Sequence, residues 1–379
     1  MKAYAAGLLA ALMLLVMLAP CALAQETMIL YVEDGALSEG KAKQILALLR
    51  EQIPQAQWAL LEDTQPLRAF VLAGNAPDLA ICAPESARPW AQEGLLVPLQ
   101  TLIGSQTRMQ RQVLELCVQN EAMFIAPLIA RHRQMAVNRA LFEEKGVGYM
   151  LDAKTYPVWY PAQFHQILED FLIADEPALD IWHAEADTSA AIETLAQAIF
   201  GGELLGEDGR TCRADSLDMR AGVRYLRDAV DDEMIGYCET RADALERFVN
   251  GQTAIFIDWM DGYAAPGEMD IVTVPYPSAA GLPVRSFELT GVCAFASGDA
   301  AKDALLKKAC MLLDEHAQQI LGPRGIWQDG ALWPQSLDGS DYAATLRSLF
   351  AGALNAVMEE GEPVEAALGR VQAAMDALR

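Results

Sequence analysis

Short apolar runs of four or five residues alternate with stretches of helical period along most of this chain. Met28–Val32, Trp58–Leu61 and Leu79–Cys82 read as strands, and Lys41–Gln52 reads as a helix whose apolar face is Ile45, Leu46, Leu48 and Leu49. Pro66–Ala73 is helix-like and stops at Gly74-Asn75. The pattern then repeats with other content. Ala122–Pro127 and Met135–Asn138 are strands, Arg139–Lys145 and Pro161–Ala174 helices, Leu179–Trp182 a strand and Thr188–Phe200 a helix. Asp208-Gly209 lies in a hairpin-type turn. Helices Ser216–Val230 and Ala242–Val249 follow, then strands Thr253–Ile257, Asp270–Pro275 and Gly291–Ala296. Ala300–Asp314 and the chain from Tyr342 onward are helical, the latter broken near Gly361-Glu362-Pro363. Short buried strands alternating with helices predict an α/β fold with a mostly parallel sheet.

Strand-like runs near Pro127–Asn138 and Ser286–Val292 flank the middle block, and neither is a flexible linker. The chain is therefore expected to pass between two lobes more than once on ordered segments. Ligands of open α/β sheets sit at the carboxyl ends of strands, so two facing lobes would make a small-molecule cleft there.

The first residues change the picture of where this happens. Lys2, the apolar stretch Leu8 to Ala19 and the small-x-small site Ala22-Leu23-Ala24 read as a signal peptide, with a mature start at Gln25. That predicts export to a periplasmic or extracellular location. A lipid-modified Cys21 is the rival, for which Pro20 is a poor preceding residue. The chain of 379 residues carries 28 Lys+Arg against 52 Asp+Glu, a net charge of −24, which argues against nucleic-acid partners. No segment outside the N-terminus is apolar enough to span a membrane. None of the seven Cys forms a CxxC pair. Cys212 and Cys238 lie in polar settings on either side of the Ser216–Val230 helix, either as free thiols or as a disulfide.

Catalytic signatures are missing. There is no Walker loop, GxGxxG, GxSxG or HExxH. His132, His165, His183 and His316 are never three or four apart, so no metal site and no cofactor are expected. These absences point to a binder rather than an enzyme.

Several stretches together carry a family resemblance. They are Ala76-Pro77-Asp78-Leu79 followed by Trp90–Leu99, then Ala126-Pro127 with Val137–Phe142 and Gly146, and Tyr156–Phe164. Phe200-Gly201-Gly202 with Asp208-Gly209, and Phe248–Ala254, are the most specific, and Gly291 with Ser297–Leu306 completes the series. In this order the chain resembles the extracellular solute-binding proteins of ABC importers, family 1, the maltose- and oligosaccharide-binding type. The resemblance implies a two-lobed, type II periplasmic-binding-protein-like α/β fold with a hinge between lobes. Residues 25–130 and 290–318 would form one lobe, and 131–289 and 319–379 the other. It implies a monomer that captures a small solute, a saccharide by analogy, and hands it to a membrane permease with an ATPase. A binding protein that presents its solute to a sensor is the alternative, and a secreted glycoside hydrolase a more distant one.

By position, the resemblance offers Trp259 as a stacking aromatic and Asp258 as a hydroxyl acceptor. Glu33, Asp34 and Glu85 follow first-lobe strands, Trp182 and His183 end a second-lobe strand, Gly291 marks the return crossing, and Trp327 lies in a late loop. Arg131-His132-Arg133 departs from the pattern, since related sugar binders place acidic or neutral groups there. Arg131 is thus a candidate ligand for an anionic group, with ion pairing to neighbouring acids as the other reading.

Overall fold

The computed structural model describes residues 27–33, 36–61, 67–99, 116–119, 121–173, 176–185, 189–206, 211–260, 265–321 and 341–378. The signal-type segment, Asp34, the Asp208-Gly209 turn and Trp327 lie outside them, as does the Glu85 side chain.

The described chain opens with β1 (Thr27–Val32), α1 (Glu39–Gln52), β2 (Gln57–Leu60), α2 (Leu67–Leu72), β3 (Leu79–Cys82) and α3 (Pro84–Gln92). A small ladder of β4 (Val118–Gln119) and β5 (Ala122–Met123) precedes the long β6 (Ala126–Asn138). Then come α4 (Arg139–Glu144), α5 (Pro161–Leu172), β7 (Leu179–Trp182), α6 (Ala190–Phe200), α7 (Leu217–Asp231) and β8 (Ile235–Cys238). After α8 (Arg241–Val249), β9 (Ile255–Met260), β10 (Ile271–Val274) and β11 (Ser286–Ala294), the described chain ends in three helices. These are α9 (Ala300–Leu321), α10 (Asp341–Met358) and α11 (Val364–Asp376).

Local chemistry explains several of these boundaries. Pro161 starts α5 where a missing N–H costs nothing, and Gln163 Oε1 accepts from the Tyr160 N–H at 2.9 Å. Thr240 and Asp243 cap α8 reciprocally: Thr240 Oγ1 accepts from Asp243 N at 3.1 Å, and Asp243 Oδ2 accepts from Thr240 N at 3.0 Å. Gly201 closes α6 at φ 76°, a left-handed conformation open to glycine.

The main sheet runs β2-β1-β3-β11-β6-β9-β7-β8, with β10 also on β6. Its flanks are parallel: β1 pairs with β2 and β3, and β7 with β8 and β9. Its centre is antiparallel, because β11 pairs with β3 and β6, and β6 with β9. The expected mostly parallel sheet is therefore a mixed one. The strands that pass between the two halves run against their neighbours.

Two hydrophobic cores share this sheet. Leu30, Ile81, Ala126, Ile129, Val292, Leu306 and Leu321 belong to one. Met135, Val137, Phe164, Leu195, Phe256, Phe350 and Val371 belong to the other. β6 serves both, its first residues in one core and its last in the other, with Arg131–Gln134 between them. A sequence reading splits β6 in two because this polar stretch looks like a loop. Its backbone is in fact paired on both sides, to β11 and β9. No described helix is long and apolar enough to cross a membrane.

Candidate functional site

Strand direction decides where a site could be. β11 enters one core at Ala294, which pairs with Leu79, while Gly291 pairs with Cys82 nearer the crossing. β3 and the parallel β1 thus point their carboxyl ends at the crossing. On the other side Val137 pairs with Ile255 and Arg133 with Met260, so β9 also ends at the crossing. β7 and β8 lie parallel to β9 and end at the same level. The carboxyl ends of five strands from two cores converge on Arg131–Gln134 and Ser286–Leu289, the arrangement that binds ligands in open α/β sheets.

On the first core's side the convergence is held by one carboxylate. Glu33, just after β1, accepts from the Ala83 N–H at 2.9 Å and from Ser86 Oγ at 2.6 Å. It caps the start of α3 from another loop and fixes the two strand ends together. Gly291 packs against β6: a Cβ there would stand 2.6 Å from Ile125 Cγ1 and 2.8 Å from the Ala126 carbonyl oxygen. Its role is close strand packing.

On the second core's side Asp258 is 1% exposed and ion-paired to both Arg133 and Arg241. Arg241 also lies over the Phe256 ring at 5.3 Å. Asp258 is thus committed to two guanidiniums. The buried Tyr276 hydroxyl, donating to the Ile257 carbonyl, is driven upward in pKa by burial and by the nearby Asp258 charge. Arg285 Nε donates to Gln134 Oε1 at 2.9 Å. Arg131 shares its face of β6 with Arg133 and is half-buried, and it makes no ion pair with a described residue.

His183 follows β7 in a hydrogen-bonded group. Its Nδ1 lies 2.7 Å from Glu359 Oε1 and its Nε2 3.0 Å from Asn355 Nδ2. Tyr237 Oη donates to the same Glu359 oxygen at 2.8 Å. His183 and Tyr237 together hold the Glu359 carboxyl below its ordinary value. Asn355 cannot turn over freely, because it also bonds Ala184 N at 2.7 Å and Ala184 O at 2.8 Å.

The two aromatic candidates among the described residues are core residues. Trp182, 1% exposed, stacks on Phe256 at 6.1 Å, Phe256 on Phe248 at 5.9 Å, and Trp259, 5% exposed, meets Phe248 edge-on at 6.2 Å. Neither indole turns a free face outward, as a stacking platform must. The structure places Glu33 and Gly291 at the strand ends of the first core, Asp258, Trp259, Trp182 and His183 at those of the second, and Arg131 on the crossing strand between them. The sequence reading missed Arg241, Arg285, Tyr237, Asn355 and Glu359. Within the Arg131-His132-Arg133 run, Arg133 takes the ion-pairing role, on Asp258. Cys212 and Cys238 form no disulfide, so that option falls. Trp182 and Cys238 face each other in the β7–β8 register beside buried Asp180, whose carboxyl is raised by burial against the pull of Arg247 at 2.8 Å. Among the described residues no group of three His, Cys, Asp or Glu is placed to hold a metal ion.

No family model matches the sequence, and no curated protein matches it. Solved structures do. An ABC substrate-binding protein from Listeria monocytogenes in complex with cycloalternan aligns at TM-score 0.68 and 15% identity, over 93% of this chain and 99% of that one. UgpB from Mycobacterium tuberculosis in complex with glycerophosphocholine aligns at TM-score 0.71 and 14% identity, over 94% and 98%. The sugar-binding protein MalE of Xanthomonas citri aligns at TM-score 0.71 and 14% identity, over 93% and 97%. The chain therefore has the two-lobed α/β fold of these ABC substrate-binding proteins along nearly its whole length.

Proposed function

We propose that this chain is an extracytoplasmic solute-binding protein that captures a small solute, a carbohydrate, between its lobes and delivers it to an ABC importer. The observation that carries this reading is the convergence of strand ends from two separate cores onto one pair of crossing strands. A solute held there touches both halves and stabilises their closed arrangement. Residues 131–134 and 286–289 would be the hinge. The segments 25–130 and 290–318 would form the first lobe, and 131–289 and 319–379 the second. Glu33, Arg131 and His183 are the site residues best supported by position; Trp182 and Trp259 would form the packed bed beneath them. The chain acts by reversible binding, as an exported monomer, without covalent chemistry or cofactor.

A thermal-shift and calorimetry panel of neutral oligosaccharides, uronates, polyols, amino acids and polyamines tests this. A ligand at 100 times its Kd adds ~2.7 kcal/mol of stability, an easily read shift. One-to-one binding of a saccharide, unchanged on recovery and accompanied by a smaller radius of gyration in solution scattering, supports the reading. Binding confined to amino acids or polyamines overturns the carbohydrate class, and turnover of the bound saccharide overturns the binder.

A further inference from the structure

From the crossing strands we infer that the solute carries a negatively charged group, a carboxylate or phosphate-type oxyanion, and that Arg131 receives it. The inference rests on the solute-binding reading and narrows its substrate class.

The argument begins with scarcity. Acids outnumber bases 52 to 28 in this chain. A cation without an acidic partner is therefore not short of available carboxylates. Most arginines of the second core's surface are paired: Arg139 with Asp270, Arg213 with Glu203, Arg220 with Asp215, Arg224 with Glu365 and Arg247 with Asp180. Arg131 is half-buried and makes no ion pair with a described side chain; in the backbone register of β11 it stands opposite residue 288. Drawing a guanidinium partly out of water with no counter-ion is unfavourable, and a bound anion removes that cost.

The surroundings add to this. Two positions along the same face, Arg133 is joined by Arg241 on the single carboxylate of Asp258. Asp258, the acid that would repel an anion, is neutralised and buried. An Arg offers a planar fork of donors that matches a carboxylate or phosphate in two parallel bonds, and a neutral sugar hydroxyl cannot use it that way. The position is the level where strand ends of both cores meet, so an anion held there is within reach of both halves.

Matched ligand pairs test this on the full chain: trigalacturonate against a neutral galactose trisaccharide, and glucose 1-phosphate against glucose, by calorimetry. The expected result is preference for the anionic member of a pair, weakening as salt rises. Arg131→Ala should lower that affinity by roughly 10- to 100-fold, with partial retention in Arg131→Lys. Glu288→Gln, which removes a negative charge opposite Arg131, should tighten anion binding. The salt dependence of the unaltered protein keeps the test valid if a variant folds poorly. Equal binding of a neutral saccharide by the unaltered protein and by Arg131→Ala overturns this inference and leaves the solute-binding reading standing. If no saccharide of either kind binds, both fall.

Discussion

The two cores of this molecule are stabilised differently. In the first, strand ends are tied by Glu33 to backbone and hydroxyl donors, and Asp314 is the one carboxylate among its described buried residues. The second buries Asp180, Glu193 and Asp258, and stacks its aromatic rings in series. Asp258 holds two guanidiniums and Asp180 one, while Glu193 sits on the wholly buried α6 with Gln197 donating to it at 3.1 Å. The first core is therefore held chiefly by apolar packing and the second also by compensated charge. The second lobe should respond to pH and to loss of a partner where the first does not.

Breaking the Asp258 cluster should produce the largest effect. Asp258→Ala removes the buried carboxylate that Arg133 and Arg241 share, and should cost about 3–5 kcal/mol in denaturant unfolding. A loss below about 1 kcal/mol would mean the cluster is solvated and the contrast between the cores is false. Glu193 tests the same contrast through pH. Burial lifts its carboxyl from 4.5 to about 7. The unfolded chain ionises first, so this contribution to stability is whole below pH 4.5, declines as pH rises to about 7, and is level above. Glu193→Gln should match the unaltered protein at pH 4.5 and exceed it by on the order of 3 kcal/mol at pH 8. Parallel stability curves for the two proteins would sink the claim.

In the first core the expected losses are steric and independent of pH. Gly291→Ala must displace Ile125 or the Ala126 backbone, and should cost roughly 1–3 kcal/mol at pH 5 and pH 8 alike. The smallest change should come from Glu359→Gln. Its carboxylate is half-exposed and held low by His183 and Tyr237, so its contribution is present above its ordinary pKa and lost as pH falls. With solvent screening it should amount to less than about 1 kcal/mol, seen only above that range.

Much of the fold was legible because the apolar period is local. Leu79–Cys82 and Leu179–Trp182 appear as read, and so do the apolar face of α1 and the start of α5 at Pro161. β8 was not, since Ile-Gly-Tyr-Cys has little strand character. Its Gly236 is required by a neighbour distant in sequence: a Cβ there would lie 1.9 Å from Asp180 Oδ1. α9 runs on past Asp314 to Leu321, because Ala317 and Leu321 still reach the first core. The site was legible as a level and not as a set of contacts. A Trp after a strand reads the same whether its ring ends in a core or at a cleft. Nothing beside Asp258 in sequence announces Arg133, 125 residues away, or Arg241, 17 away.

The crossing strands also order events in time. β3 is flanked by β1, made before it, and by β11, made roughly two hundred residues later, when Ala294 arrives beside Leu79. Until then the apolar strand Leu79–Cys82 has an open side, and Leu306 and Leu321 of α9 are still missing from its core. A growing chain thus cannot finish the half it began. It stays loose through the synthesis of the whole second core, and a fragment ending before Ser286 should remain without a cooperative first lobe.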